Sequence, residues 1–233
     1  MKDIEEDLDI LASKLHPSPG TWAAHQLERV ISKLKDMHRR KLLKSNHSIM
    51  EAICAWHLAT QGYEVDVEYK LGESLVCDVY AARDGETLIV EVETGYVPPE
   101  NALDPIAYRY TRIAAKIARY SKHAHTFALA TPPYHILQIP PVLAKPPEQR
   151  SLQELQRLKA LCDNYYKNPP ISLEELKQAK LTHVYIVNVD STQVQRMEAV
   201  EYIRQIEKSH LAVRPPPNSK QKRSPIARLS NPV

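Results

Sequence analysis

Residues 74–94 read SLVCDVYAARDGETLIVEVET. Two apolar runs, rich in β-branched residues, flank Asp84-Gly85, a pair suited to the positive φ angles of a two-residue hairpin turn. With that turn fixed, Arg83 pairs with Glu86. Counting back then sets Tyr80 against Ile89, Val79 against Val90 and Asp78 against Glu91. Side chains alternate along a strand, so Val79, Ala81, Leu88, Val90 and Val92 form one apolar face, while Asp78, Glu91 and Glu93 share the other. Like charges set opposite each other in a sheet are destabilising, so three carboxylates in an otherwise apolar hairpin call for a cation. A hard divalent ion, Mg2+ or Mn2+, meets that need and can bridge a phosphate and activate water. The other reading is an exposed hairpin edge carrying solvated acids.

Working outward, residues 63–70 (YEVDVEYK) alternate, with Glu64, Asp66 and Glu68 on one face and Val65, Val67 and Tyr69 on the other. That pattern predicts a half-exposed strand. Strands are predicted at 74–82 and 87–94, after a helix over 48–61 closed by Gly62. Beyond Pro98-Pro99 come a long helix over 101–123, a strand over 125–131 and a proline-rich crossing over 132–147. Helices at 151–166 and 172–180, a strand at 182–189 in the same sheet and a helix at 191–209 follow. Helices over 2–15 and 21–43 precede this core, the second ending in the basic run His38, Arg39, Arg40, Lys41 and Lys44.

Asp78, a spacer of 12 residues and Glu91-Val92-Glu93, on the order helix, three antiparallel strands, helix, strand, resemble the PD-(D/E)XK nuclease superfamily over residues 47–131. The resemblance implies an α/β restriction-endonuclease-like core (αβββαβ), a mixed central sheet flanked by helices, here with extra N-terminal helices. It implies that Asp78 and Glu91 hold the metal and that Glu51, on the helix before the first strand, assists. Glu93 stands where the family's lysine usually stands, the variation of some restriction-type members, and would act as general base or extra metal contact. Cys77 replaces the usual proline. Glu51 has a second reading, because Ser48-Ile49-Met50-Glu51 is a capping box in which the glutamate reaches back to the cap amide. His47, just before it, reads as a surface residue.

In the helix DPIAYRYTRIAAKIARYSKH, Arg109, Arg112, Lys116, Arg119 and His123 recur at steps of three and four, which sets them on one stripe. Ile106, Ile113 and Ile117, with Tyr110 and Tyr120, supply the opposite, buried side. Lys116 and Tyr120 stand where some relatives that process DNA ends place a glutamine and a tyrosine, so Lys116 takes the part of the missing motif lysine. The candidate nucleic-acid contacts are Arg109, Arg112, Lys116, Arg119 and Tyr120, against the plainer reading of a solvated helix face. Twelve tyrosines stand beside one phenylalanine; scattered tyrosine reads first as half-buried packing, then as base stacking.

The 233 residues, 43% hydrophobic and 25% charged, fit one α/β core. The expected division is an N-terminal helical extension over 1–45, a nuclease-like domain over 46–212 and a basic, proline-rich, disordered tail over 213–233. That tail carries Arg214, Lys220, Lys222, Arg223 and Arg228 without an acid. The net charge of +3 does not by itself announce a polyanion partner. Cys54, Cys77 and Cys162 lack metal-finger spacing and read as reduced thiols. No stretch reaches the roughly 18 apolar residues of a membrane span, and the acidic first residues exclude a signal peptide, so a cytoplasmic protein is expected. The function expected is a Mg2+- or Mn2+-dependent deoxyribonuclease, an endonuclease because no helicase-like or clamp-like part accompanies the core. Duplex, branched and single-stranded DNA stay open as substrates. An inactive nuclease-like module that binds nucleic acid or serves assembly is the alternative, and a structural interaction protein a third. Homodimers are common in the superfamily; no interface is legible in this sequence.

Overall fold

The computed structural model describes residues 4–15, 18, 20–43 and 47–209. Six strands form one mixed sheet in chain order: β1 (Glu64–Lys70), β2 (Val76–Arg83), β3 (Glu86–Val92), β4 (Thr126–Thr131), β5 (His183–Asn188) and β6 (Gln193–Glu198). β1, β2 and β3 run antiparallel, β4 and β5 continue parallel to β3, and β6 returns antiparallel at the edge. The Asp84-Gly85 turn, with φ of 53° and 83°, sets the register Arg83–Glu86, Tyr80–Ile89 and Val79–Val90, as the sequence predicts. β4 (TFALAT) is buried on both faces from Phe127 onward, the mark of a central parallel strand.

Both faces of the sheet are covered. α1 (Ile4–Leu15), α2 (Trp22–Arg39) and α3 (Ser48–Ala59) pack on the face formed by Val65, Val67, Val79, Ala81, Leu88, Val90 and Val92. Thr21 caps α2, its side chain accepting from the Ala24 N–H. The opposite face, with Ile89, Phe127, Leu129 and Val184, packs against α4 (Pro105–Tyr120), α5 (Pro141–Ala144), α6 (Leu152–Cys162), α7 (Leu173–Gln178) and α8 (Ala199–Lys208). Capping boxes start α6 at Ser151–Glu154 and α7 at Ser172–Glu175. All three cysteines are buried and unpaired. No helix among the described residues is long and apolar enough to cross a membrane.

Two expectations change. Residues 191–209 form the edge strand β6 before the helix α8, not one helix. Val194 and Met197, three apart, look helical in sequence, yet on the strand they point to opposite faces and pack on opposite cores. Ile106, expected on the buried side of α4, is exposed, whereas Tyr110, Ile113 and Ile117 are buried as expected. The basic tail from Arg214, and Lys44, lie outside the described residues.

Candidate metal centre

The site forms where the regular hairpin stops. The β1–β2 ladder pairs Val67 with Val79 and Tyr69 with Cys77 but skips Glu68 and Asp78 between them. Val67 and Val79 belong to the core under α3, whereas Tyr69 and Cys77 belong to the core under α4, so both strands change face at the skipped residues. Glu68 takes a φ of 46°, the left-handed region, which costs a side-chain-bearing residue roughly 1–3 kcal/mol and persists only where its surroundings enforce it. On the other side of β2, the ladder to β3 ends at Val79–Val90, and carboxylates replace backbone partners beyond it. The Asp78 N–H donates to Glu91 Oε1 at 3.1 Å, and the Val92 N–H donates to Asp78 Oδ2 at 2.6 Å. Asp78 and Glu91 are therefore cross-strand neighbours, linked through their side chains.

α4 brings the cations. Lys116 Nζ lies 3.0 Å from Glu91 Oε2, 2.9 Å from Glu93 Oε1 and 3.5 Å from Asp78 Oδ2, and donates to the Val92 carbonyl at 2.9 Å. One turn earlier, Arg112 Nε donates to both oxygens of Glu93, at 2.9 and 3.1 Å. Burial alone would push the Glu93 carboxyl up, but Lys116 and Arg112 hold it below the ordinary range. Burial likewise opposes the Lys116 charge, yet Asp78, Glu91 and Glu93 hold its pKa well above the usual lysine value. Glu91, buried and beside Asp78, is pushed up to about 8 despite Lys116. A lysine arriving from α4 thus contacts all three acids of the hairpin.

α3 brings a third acid. Glu51 is 0% exposed, and neither of its oxygens has a hydrogen-bond partner. The capping-box reading of Glu51 does not hold: the helix is capped at His47, and no side chain caps it. Burial, then the charges of Asp78, Glu68 and Glu91, raise its pKa well above the ordinary carboxylate value. Oxygens of Glu51, Glu68 and Asp78 lie within 4.8 Å of one another, a spacing that could hold a metal ion. Five carboxyl groups, Glu51, Glu68, Asp78, Glu91 and Glu93, here meet two cations, Lys116 and Arg112. The excess demands either protons or an added cation. Three hard oxygen donors, one of them a buried carboxylate with no hydrogen-bond partner, fit a hard metal cation.

Asp78, Glu91, Glu93, Lys116 and Glu51, the residues expected from sequence, lie together, but of the expected metal ligands Asp78 and Glu91 only Asp78 belongs to the group spaced to hold an ion. Sequence reasoning missed Glu68, assigned to a solvent face by simple alternation. The signal that finds it is register: Glu68 falls midway between Val67–Val79 and Tyr69–Cys77, level with Asp78. His47, expected at the surface, is half-buried at the rim, its Nε2 3.0 Å from Thr94 Oγ1. Burial lowers its pKa.

The expected cationic stripe on α4 is partly turned inward. Arg112 is held by Glu93 and Lys116 by three acids. Arg119 donates to the Pro169 carbonyl at 2.8 Å and lies 5.1 Å from the Tyr166 ring centre. Tyr120 donates its hydroxyl proton to the Val76 carbonyl at 3.0 Å. Arg109 alone of the five predicted contacts has an unpartnered buried nitrogen, Nε.

No family model matches the sequence, and no curated protein matches it. Among solved structures, the chain is similar to the CdiA-CT/CdiI toxin and immunity complex from Burkholderia pseudomallei, at 15% identity and a TM-score of 0.27. The match covers 65% of this chain and 83% of that one. A likeness of that size carries no argument. What stands on the structure itself is a mixed six-stranded α/β protein with an acidic group able to hold a metal ion.

Proposed function

We propose that this chain is a metal-dependent nuclease that hydrolyses phosphodiester bonds, with DNA as substrate and Mg2+ or Mn2+ as the ion. The observation that carries the reading is Glu51, a fully buried, unpartnered carboxyl aimed at Asp78 and Glu68 beside a caged lysine. In a soluble core such an acid is destabilising unless a cation completes it. Glu51, Glu68 and Asp78 would hold the ion, with Glu91 behind them fixing the Asp78 backbone through its N–H. When bound, the ion would neutralise a phosphate oxygen and lower the pKa of an attacking water.

The chain's own residues supply the rest. Lys116 holds Glu91 and Glu93 at 2.9–3.0 Å and Asp78 less closely, at 3.5 Å, so Asp78 is the acid it releases most readily to an incoming cation. Arg112 fixes Glu93 by a two-oxygen contact, which suits Glu93 to positioning more than to free base catalysis. Arg109, on the same helix and outside the carboxylate cage, would supply the phosphate contact.

The test is cleavage of labelled duplex, branched and single-stranded DNA with Mg2+, Mn2+ or EDTA. Asp78→Asn and Glu51→Gln are expected to lower cutting at least about 100-fold while keeping the wild-type circular dichroism. Cutting in EDTA, or wild-type cutting by either variant, would remove the assignment. Binding without cutting under every metal would favour the inactive nuclease-like module.

A further inference from the structure

Of the twelve tyrosines in the chain, ten are buried or half-buried, as the sequence leads one to expect. The other two, Tyr96 and Tyr134, are 63% and 84% exposed. Their positions are not scattered. Tyr96 follows the end of β3 by four residues and Glu93 by three; Tyr134 follows the end of β4 by three. β3 and β4 are adjacent parallel strands, joined past their ladder by the Glu93 N–H donating to the Ala130 carbonyl at 2.8 Å. Both tyrosines therefore leave the sheet at the carboxyl ends of these two strands.

The two loops are also locked to each other. Gly95, at a φ of 81°, lies so close to the His135 imidazole that a Cβ there would overlap the ring. Each exposed tyrosine is the immediate neighbour of one member of that contact. On the β4 side the backbone is a turn closed by the His135 N–H on the Pro132 carbonyl at 3.1 Å, with Pro133 fixing one φ before Tyr134. The His135 carbonyl accepts from Thr131 Oγ1 at 3.4 Å. Burial lowers the pKa of the His135 ring, and the charges of Arg109 and Glu93, the latter three residues before Tyr96, both act on it. Two aromatic rings on touching loops at this end of the sheet thus leave most of their surface outside the chain's own packing.

We propose that Tyr96 and Tyr134 are a base-stacking platform, and that the substrate presents unpaired nucleotides next to the cleaved bond. A base offers a flat face to a tyrosine only where it is not stacked in a duplex, so this platform selects single strands, overhangs or junctions over continuous double helix. Arg109 would meet the phosphate between the bases and the acids. The inference deepens the nuclease reading and rests on it for the chemistry of the ligand.

The experiment uses the full chain and an oligonucleotide carrying 2-aminopurine, single-stranded or annealed into a blunt duplex, in EDTA and in Ca2+. Single-strand binding is expected to change the fluorophore's emission. Tyr96→Leu and Tyr134→Leu are each expected to weaken it by roughly 5- to 150-fold. Tyr96→Trp and Tyr134→Trp keep it, and duplex affinity stays as in the wild type for all four. Leucine variants that bind single strands like the wild type, equal losses on duplex and single strand, or a wild-type chain that binds no single strand would each overturn the platform. Cutting is scored separately with Asp78→Asn. A chain that stacks unpaired bases but never cuts overturns the nuclease reading and keeps the platform; a chain that cuts without these losses does the reverse.

Discussion

Glu51 occupies the buried face of α3 with both oxygens unbonded, an arrangement that destabilises a fold by roughly 1–3 kcal/mol relative to a satisfied site. Replacing it by methionine, of similar volume, removes that term. Glu51→Met is therefore expected to raise the thermal midpoint in EDTA and to abolish the stabilisation that Mg2+ or Mn2+ gives the wild type. Calorimetry with and without metal reads both; a methionine variant that melts earlier in EDTA would mean that the chain itself satisfies the acid. At this scale the sequence revealed most of the site. Asp78, Glu91 and Glu93 followed from one turn, because a two-residue loop fixes register without ambiguity. Lys116 followed from its place on α4. Glu68 did not, because the loop of residues 71–75 between β1 and β2 imposes no unique register and a left-handed φ at a glutamate has no sequence signature.

The β5–β6 hairpin shows why elements were legible unevenly. β5 is a run of apolar residues between polar ends, and it was read correctly. β6 lies at the edge with only Val194 and Met197 half-buried, too few apolar positions to distinguish a strand from a helix. What makes it a strand is pairing, from His183–Glu198 through Asn188–Gln193, around a turn in which Asn188 Oδ1 accepts from the Ser191 N–H. His183 in this hairpin lies between Arg196 and Glu198. Burial first, then Arg196, lower its pKa below the ordinary 6.5, with Glu198 opposing. The unfolded chain then binds a proton near pH 6.5 that the folded chain refuses. Stability is expected to be intact above that pH and to fall as pH drops from about 6.5 toward the lower folded value. Urea midpoints between pH 7.5 and 5 should decline less for His183→Gln than for the wild type; parallel curves would show that His183 titrates alike in both states.

In the whole molecule, the sheet divides two cores, and the site lies where a strand pair passes from one to the other. Glu51 comes from the helix on one side, Lys116 and Arg112 from the helix on the other, and the acids of β2 and β3 stand between them. The order of elements from α3 to β4 was readable because each carries a clear period and clear stops. The convergence of both layers was not, since it depends on how far β1, β2 and β3 part at Glu68, Asp78 and Glu91.

That parting has a further meaning. With Glu68 and Asp78 both excised, alternation would run unbroken from Val65 to Tyr69 and from Cys77 to Ala81, with the same partners across the ladder. The two acids are thus one surplus residue per strand, matched across the ladder, in a hairpin whose alternation is complete without them. A chain lacking both is expected to keep the wild-type far-UV circular dichroism and to lose every response to divalent ions. If it fails to fold, the pair belongs to the scaffold after all.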